Sequence, residues 1–239
     1  GAWALLRTIL VGISRAISST IFLLLFVLFV TQPNVYRAFA PTLFGINQVA
    51  PNIYTDQRLK IESIKRAIAN ADKNAATFFP NQTADPKYIV CFTSKCTQAF
   101  GDLPLGLTLG FHRVIISAND IDQRIYNHER IHVDLHKLAG YTDIFQPRFP
   151  IWFNEGLAEL LSGSNCQGVF FSNAEIVRIK QAESLRQWNK VVSDGQYRRH
   201  YGAACRAVEQ ISQRIGKKGL SDLVHNATNR KQFLNSLPK

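Results

Sequence analysis

The chain has 239 residues, 46% hydrophobic and 19% charged, with 28 lysines and arginines against 17 acidic residues and a formal charge of +11. This is the composition of a globular protein, and setting aside the first 40 residues leaves about 199, enough for one domain with a proper core and too few for two comfortable ones. No nucleic-acid motif or aromatic-basic array accompanies the charge, so no nucleic-acid partner is expected, and the excess reads as a solvated basic surface or an attraction to anionic lipid or acidic polymers.

Residues 1–40 differ in kind from the rest. Arg7 and Arg15 precede residues 16–36, which carry no charge, and Ile21 to Val30 is an unbroken apolar run. A transmembrane helix needs about 20 mostly apolar residues, and basic residues on its N-terminal side hold that side in the cytoplasm. We therefore expect an uncleaved, single-pass signal anchor over 1–40, with the domain 41–239 on the extracytoplasmic (periplasmic or cell-surface) side. The alternatives are a buried core helix or a cleaved signal peptide. Ala38-Phe39-Ala40 has the small-x-small look of a cleavage site, but Pro41 follows it.

The remaining elements follow in order. Residues 55–73 place Leu59, Ile61, Ile64, Ala67 and Ile68 on one helical face. Residues 87–94 are a β-branched and aromatic run, hence a strand, and 107–118 read as a strand or hairpin broken near Gly110. Ser117 and Asp120 fit a helix start signal. Ile121, Ile125, Ile131 and Leu135 continue that helix, and Gly140 is a natural stop. Pro147 and Pro150 bracket a turn before a second helix at about 152–162. Residues 172–191 are helical in their first part, 201–219 form an amphipathic helix with a glycine end, and a last short helix closes the chain. The fold class is α+β, with strands early and helices late.

Four cysteines, Cys91, Cys96, Cys166 and Cys205, make an even count beyond a membrane, as two disulfides require. Sequence allows three pairings. We expect Cys91–Cys96 as a local loop and Cys166–Cys205 as a tie between two later segments, against the alternative of a thiolate zinc site.

The chemistry concentrates in "IYNHERIHVDLHKLAGY", residues 125–141. His128, Glu129 and His132 form H-E-x-x-H within the expected helix. Residues four apart lie on one helical face, so two imidazoles can reach one zinc ion at ~2.0–2.1 Å. Glu129 can then reach a water in the metal's open position, whose pKa zinc lowers towards ~7. A third protein ligand is required, and "FPIWFNEGLAELLSG", residues 149–163, offers Glu155 and Glu159, again four apart. One carboxylate can complete a His2Glu site, and the other can accept a hydrogen bond from the second nitrogen of a bound imidazole. The apolar neighbours Trp152, Phe153, Leu157, Leu160 and Leu161 imply a buried element, in which a carboxylate wants a partner.

"HERIH" followed by "WFNEGLAE" resembles the gluzincin metallopeptidases, and the region from about 85 to 235 is similar to membrane-anchored peptidase MA-like proteins of bacteria. The resemblance implies a zincin-like domain in which His128, His132 and Glu155 bind Zn2+, Glu129 is the general base and Glu159 stands behind a histidine ligand. It also implies an oxyanion donor from a later helix. Tyr197, His200 and Tyr201 are available, and Tyr201 is chosen because it opens the expected helix four residues before Cys205. His136 lies ~12 Å along the axis from His128 and is read as a helix-end residue. The strand 112–117 is expected at the sheet edge beside the cleft, where it could hold an extended peptide. The expected function is hydrolysis of peptide bonds in a peptide or protein substrate. The alternative is an inactive zinc-binding envelope domain acting in binding or assembly.

Overall fold

A computed structural model of the chain describes residues 20, 22–23, 26, 33–81, 84–101, 105–117, 119–144, 147–164, 166 and 171–238. Most of the expected membrane segment lies outside the described residues. Among those described, no helix is long and apolar enough to cross a membrane.

The fold is α+β. Helix α1 (Pro33–Phe39) and a 3-10 turn (Pro41–Phe44) lead into strands β1 (Asn47–Ala50) and β2 (Ile53–Thr55). Then come α2 (Ile61–Ala76), β3 (Lys87–Cys91), α3 (Ser94–Ala99), β4 (Gly106–Leu109), β5 (Arg113–Ser117) and α4 (Gln123–Ala139). Helices α5 (Ile151–Leu161), α6 (Asn173–Lys180), α7 (Leu185–Val192), α8 (Tyr197–Asn226) and α9 (Arg230–Ser236) complete the chain. The five strands form one mixed sheet in the order β1-β2-β3-β5-β4, parallel at β2/β3 and β3/β5 and antiparallel at both edges.

Strand alternation divides the sheet's side chains between two layers, as the period of two requires. Ile53, Tyr88, Val90, Val114 and Ile116 pack against Ile64, Ala67 and Ala71 of α2 and Tyr126 and Val133 of α4. Tyr54, Ile89, Cys91 and Ile115 face the other way, onto Ala38 of α1, Cys96 of α3 and Phe100. A third, larger core is helical. It gathers Ile131 and Leu135 of α4, Phe153 and Leu157 of α5, Ala204 and Val208 of α8, and Phe233 of α9. Helix α4 thus lies between the sheet core and the helical core, which is why it is buried on nearly every side.

Several sequence expectations shift. The strand at 112–117 is interior, paired with β3 on one side and β4 on the other, so the edge on that side of the sheet is β4. Leu59 does not join the apolar face of α2: it sits in a 3-10 turn and is 99% exposed. The cap of α4 is Asp122, whose carboxylate accepts from Arg124 N at 3.0 Å, because Ser117 is still paired in β5. The helix bearing Tyr201 starts at Tyr197, and Gly216 (φ 75°) breaks it before it resumes to Asn226. Segment 172–191 makes two helices, each opened by a capping box, Ser172 with Glu175 and Ser184 with Gln187. Both expected disulfides form: Cys91–Cys96, and Cys166–Cys205 across 39 residues.

Candidate metal centre

Two helices build the centre. Asp122 starts α4, and Gly140 stops it with a positive φ (79°) that an L side chain rarely adopts. On this helix His128 and His132 project from one face, one turn apart. Pro150 begins α5, whose apolar face buries Trp152, Phe153, Leu157 and Ala158 and leaves Glu155 and Glu159 turned to α4. The crossing with α8 is close because position 156 is glycine: a Cβ there would stand 2.4 Å from the Ala204 carbonyl oxygen.

Three atoms converge. His128 Nε2 and His132 Nε2 are 3.0 Å apart. Each faces Glu155 Oε2, at 3.4 Å and 3.3 Å respectively. The other nitrogen of each ring is held by an oxygen. His128 Nδ1 lies 3.2 Å from Glu159 Oε1, and His132 Nδ1 lies 2.9 Å from Asn154 Oδ1. These contacts aim both Nε2 atoms at the same point, the arrangement that outer hydrogen bonds give to metal-binding imidazoles. His128, His132 and Glu155 together can hold a metal ion.

The electrostatics are those of tightly coupled groups. Burial alone would lower the His128 pKa, but hydrogen bonds to Glu155 and Glu159 overcome it and raise the value to about 10. Burial likewise opposes charge on His132, and Glu155 raises its pKa. Glu155 would rise with burial, yet the His132 charge and hydrogen bonds from both imidazoles hold it well below the usual carboxylate range. The cluster keeps its carboxylate ionised, and a metal cation and protons compete for the same nitrogens.

Glu129 is 5% exposed and stands beside this cluster. Its Oε2 accepts a hydrogen bond from Thr108 Oγ1 of the edge strand at 2.6 Å. Room for the carboxylate comes from Gly106, where a Cβ would lie 2.2 Å from Glu129 Oε1. Of the three later-helix candidates, Tyr201 lies beside the cluster, its ring 6.1 Å from that of His128 and packed edge-on against Trp188 at 5.0 Å. Burial raises the Tyr201 pKa, and the nearby carboxylate of Glu155 adds to the effect, so the phenol keeps its proton. His200 instead meets Asp194 at 2.9 Å, and Tyr197 is exposed. His136 pairs with Asp143 at 3.4 Å, apart from the converging atoms, as its position along the helix requires.

Asn154, Thr108 and Gly106 join the site only in the folded chain. Asn154 directly precedes Glu155 in "WFNEG", and a polar residue before a buried ligand was an available signal. Thr108 and Gly106 carry none, because their strand meets α4 only through the tertiary fold. On the far side of α4, Arg130 lies at ion-pair distance from Asp72 (3.1 Å) and Asp134 (3.4 Å) and donates to Ala84 O at 2.9 Å. This network pins the helix against α2. The chain matches no family model, and comparisons with curated proteins and with solved structures return no match either.

Proposed function

We propose that this chain is a membrane-anchored zinc peptidase of gluzincin type that hydrolyses peptide bonds outside the cytoplasm. The observation that carries the reading is the convergence of two Nε2 atoms and one carboxylate oxygen at 3.0, 3.3 and 3.4 Å. Ligands held tetrahedrally at zinc distances of ~2.0–2.1 Å stand roughly 3.3–3.4 Å apart, so the donor set fits that ion in spacing as well as in kind. When bound, zinc acts as a Lewis acid on a carbonyl and makes a water molecule far more acidic.

The chain's own residues supply the rest. Glu129, oriented by Thr108, is the base that takes a proton from the attacking water and returns it to the leaving amine. Glu159 and Asn154 fix the tautomers of His128 and His132, leaving Nε2 of each free to bind. Tyr201, kept protonated, donates a hydrogen bond to the developing oxyanion. Strand β4 is the edge nearest Glu129 and offers main-chain groups to an extended peptide. The uncharged run in residues 16–36 supports the anchor, and two disulfides fit an oxidising, extracytoplasmic compartment.

The test is a peptide-library digest with the purified full chain, with and without a chelator, alongside its zinc content. Cleavage that a chelator abolishes, and that Glu129→Gln loses while retaining zinc, supports the peptidase. Bound zinc with no cleavage of any peptide would move the chain to a metal-stabilised binding domain. Absence of zinc would end both readings.

A further inference from the structure

The sheet face opposite α4 is covered by α1, α3 and Phe100, and α1 begins three residues after the apolar run ends at Val30. Ala38 is buried in the core beneath it, with Ile46, Tyr54, Ile89 and Ile115. Arg37 donates to Ala99 O at the end of α3, and Arg113 of β5 donates to Ala38 O at 2.8 Å. The chain is therefore part of the folded domain within eight residues of Val30, where the apolar run ends. No long tether separates the two.

The outer surface of this layer is apolar. Phe39 and Leu43 are 59% and 80% exposed, and Val35 and Phe44 also face out. Arginines flank these rings: Arg113 lies 3.8 Å over Phe39, and Arg37 lies 5.3 Å from the Phe44 centroid. Neither α1 nor the 3-10 turn carries an acidic residue; the first in the sequence is Asp56, whose carboxylate is taken up by Thr93 at the start of α3. Exposed aromatic and aliphatic side chains beside arginines, on a segment without acidic residues, match the boundary between lipid headgroups and acyl chains, and the arginines suit an anionic leaflet.

We infer that the exposed face of α1 and the following 3-10 turn lies in the headgroup layer of a lipid bilayer, seating the domain on the membrane instead of leaving it on a tether. The inference rests on the anchor in the proposed function. Its consequence is a fixed stance. The metal centre belongs to α4 and α5, on the other side of the sheet from the seated face, so its distance from the lipid is set by the fold.

The full chain, reconstituted in vesicles of phosphatidylcholine and phosphatidylglycerol, tests this. Leu43→Trp and Leu59→Trp each add an indole at an exposed site, the first on the seated face and the second in the turn before α2, on the opposite layer. Acyl chains brominated near the headgroup end quench indoles within contact range. Emission is compared with the parent chain, which carries its own three tryptophans. The expected result is that the added emission of Leu43→Trp is mostly lost while that of Leu59→Trp persists. Equal emission of Leu43→Trp in plain and brominated vesicles, with the chain resisting alkaline extraction, overturns the seating and leaves the anchor standing. Equal quenching at both sites also overturns it. Release of the chain by alkaline extraction removes the anchor, and the seating with it.

Discussion

The Thr108 hydroxyl lies 2.6 Å from Glu129 Oε2 and 3.2 Å from the Glu129 carbonyl oxygen, so the edge strand and the central helix meet at one acidic residue. A hydrogen bond to a charged group is worth about 1.5–3 kcal/mol. Thr108→Val keeps the shape and removes the donor. If Glu129 is the base, kcat should fall roughly 10- to 100-fold, with zinc content unchanged, and Thr108→Ser should restore most of it. Steady-state kinetics with metal analysis checks this. Loss of zinc in the valine variant would show that the hydroxyl supports the fold of the centre instead.

Gly106→Ala approaches the same carboxylate from the other side. The new Cβ would stand 2.2 Å from Glu129 Oε1 and 2.7 Å from Cδ. The side chain must turn aside from its Cγ outwards, which breaks the hydrogen bond to Thr108 in a buried site. Stability should therefore fall by about 1.5–3 kcal/mol, and, if Glu129 is the base, peptide cleavage should fall sharply in protein that is still folded. A variant that keeps full activity would place the working position of Glu129 elsewhere.

Stability without metal should depend on pH in a defined direction. Hydrogen bonds to Glu155 and Glu159, working against burial, raise the folded pKa of His128 to about 10, whereas an unfolded histidine titrates near ~6.5. The folded state therefore holds the proton more tightly. Its contribution is fully present below pH ~6.5 and is lost as pH rises towards about 10. Chelator-treated protein should show a falling Tm across that window. Zinc competes with the same proton, so the rise in Tm on adding zinc should grow with pH. Scanning fluorimetry in both states checks the two slopes, and a flat metal-free profile would contradict the coupling.

The disulfides should contribute unequally. Cys166–Cys205 closes a separation of 39 residues and Cys91–Cys96 one of 5. Loop-closure entropy assigns about 4 kcal/mol to the first and about 2 kcal/mol to the second. Replacing each pair by serines and measuring urea unfolding tests the order. Cys205 also lies one helical turn after Tyr201, so losing its bridge should disturb the centre as well as lower stability.

The parts of this centre legible in the sequence are those whose geometry is local. Four-residue spacing alone puts His128 with His132, and Glu155 with Glu159, on single helical faces. The meeting of the two helices followed from chemistry, since buried carboxylates and imidazoles want partners. What escaped depends on non-local order. No local pattern states that β5 sits between β3 and β4, so the sequence alone points to the wrong edge and does not single out Thr108. Leu59 fitted an apolar periodicity, but the chain there forms a 3-10 turn and carries the side chain into solvent. Ser117 mimicked a helix cap while its backbone was already committed to the sheet. Gly156 looked like part of a motif, and only the packing of α5 on α8 supplies its reason.

That packing makes Gly156→Ala a sharp test of how the carboxylates are placed. In an uncrowded helix, alanine is more stabilising than glycine by about 1 kcal/mol, so the substitution carries two opposing effects. Here the new Cβ would stand 2.4 Å from the Ala204 carbonyl oxygen, 2.7 Å from its carbon and 2.8 Å from Val208 Cγ2. Two of these atoms are helical backbone and cannot turn aside, so α5 and α8 must separate. Overpacking of this kind costs about 1–3 kcal/mol and outweighs the gain in helix propensity. Glu155 and Glu159 flank position 156 on α5, and any displacement moves them relative to the imidazoles of α4. The variant should unfold at lower temperature and bind zinc more weakly than the parent, measured by calorimetry on the same sample. A more stable variant with unchanged zinc affinity would show that the crossing has slack, and that the carboxylates are placed by α4 and not by α8.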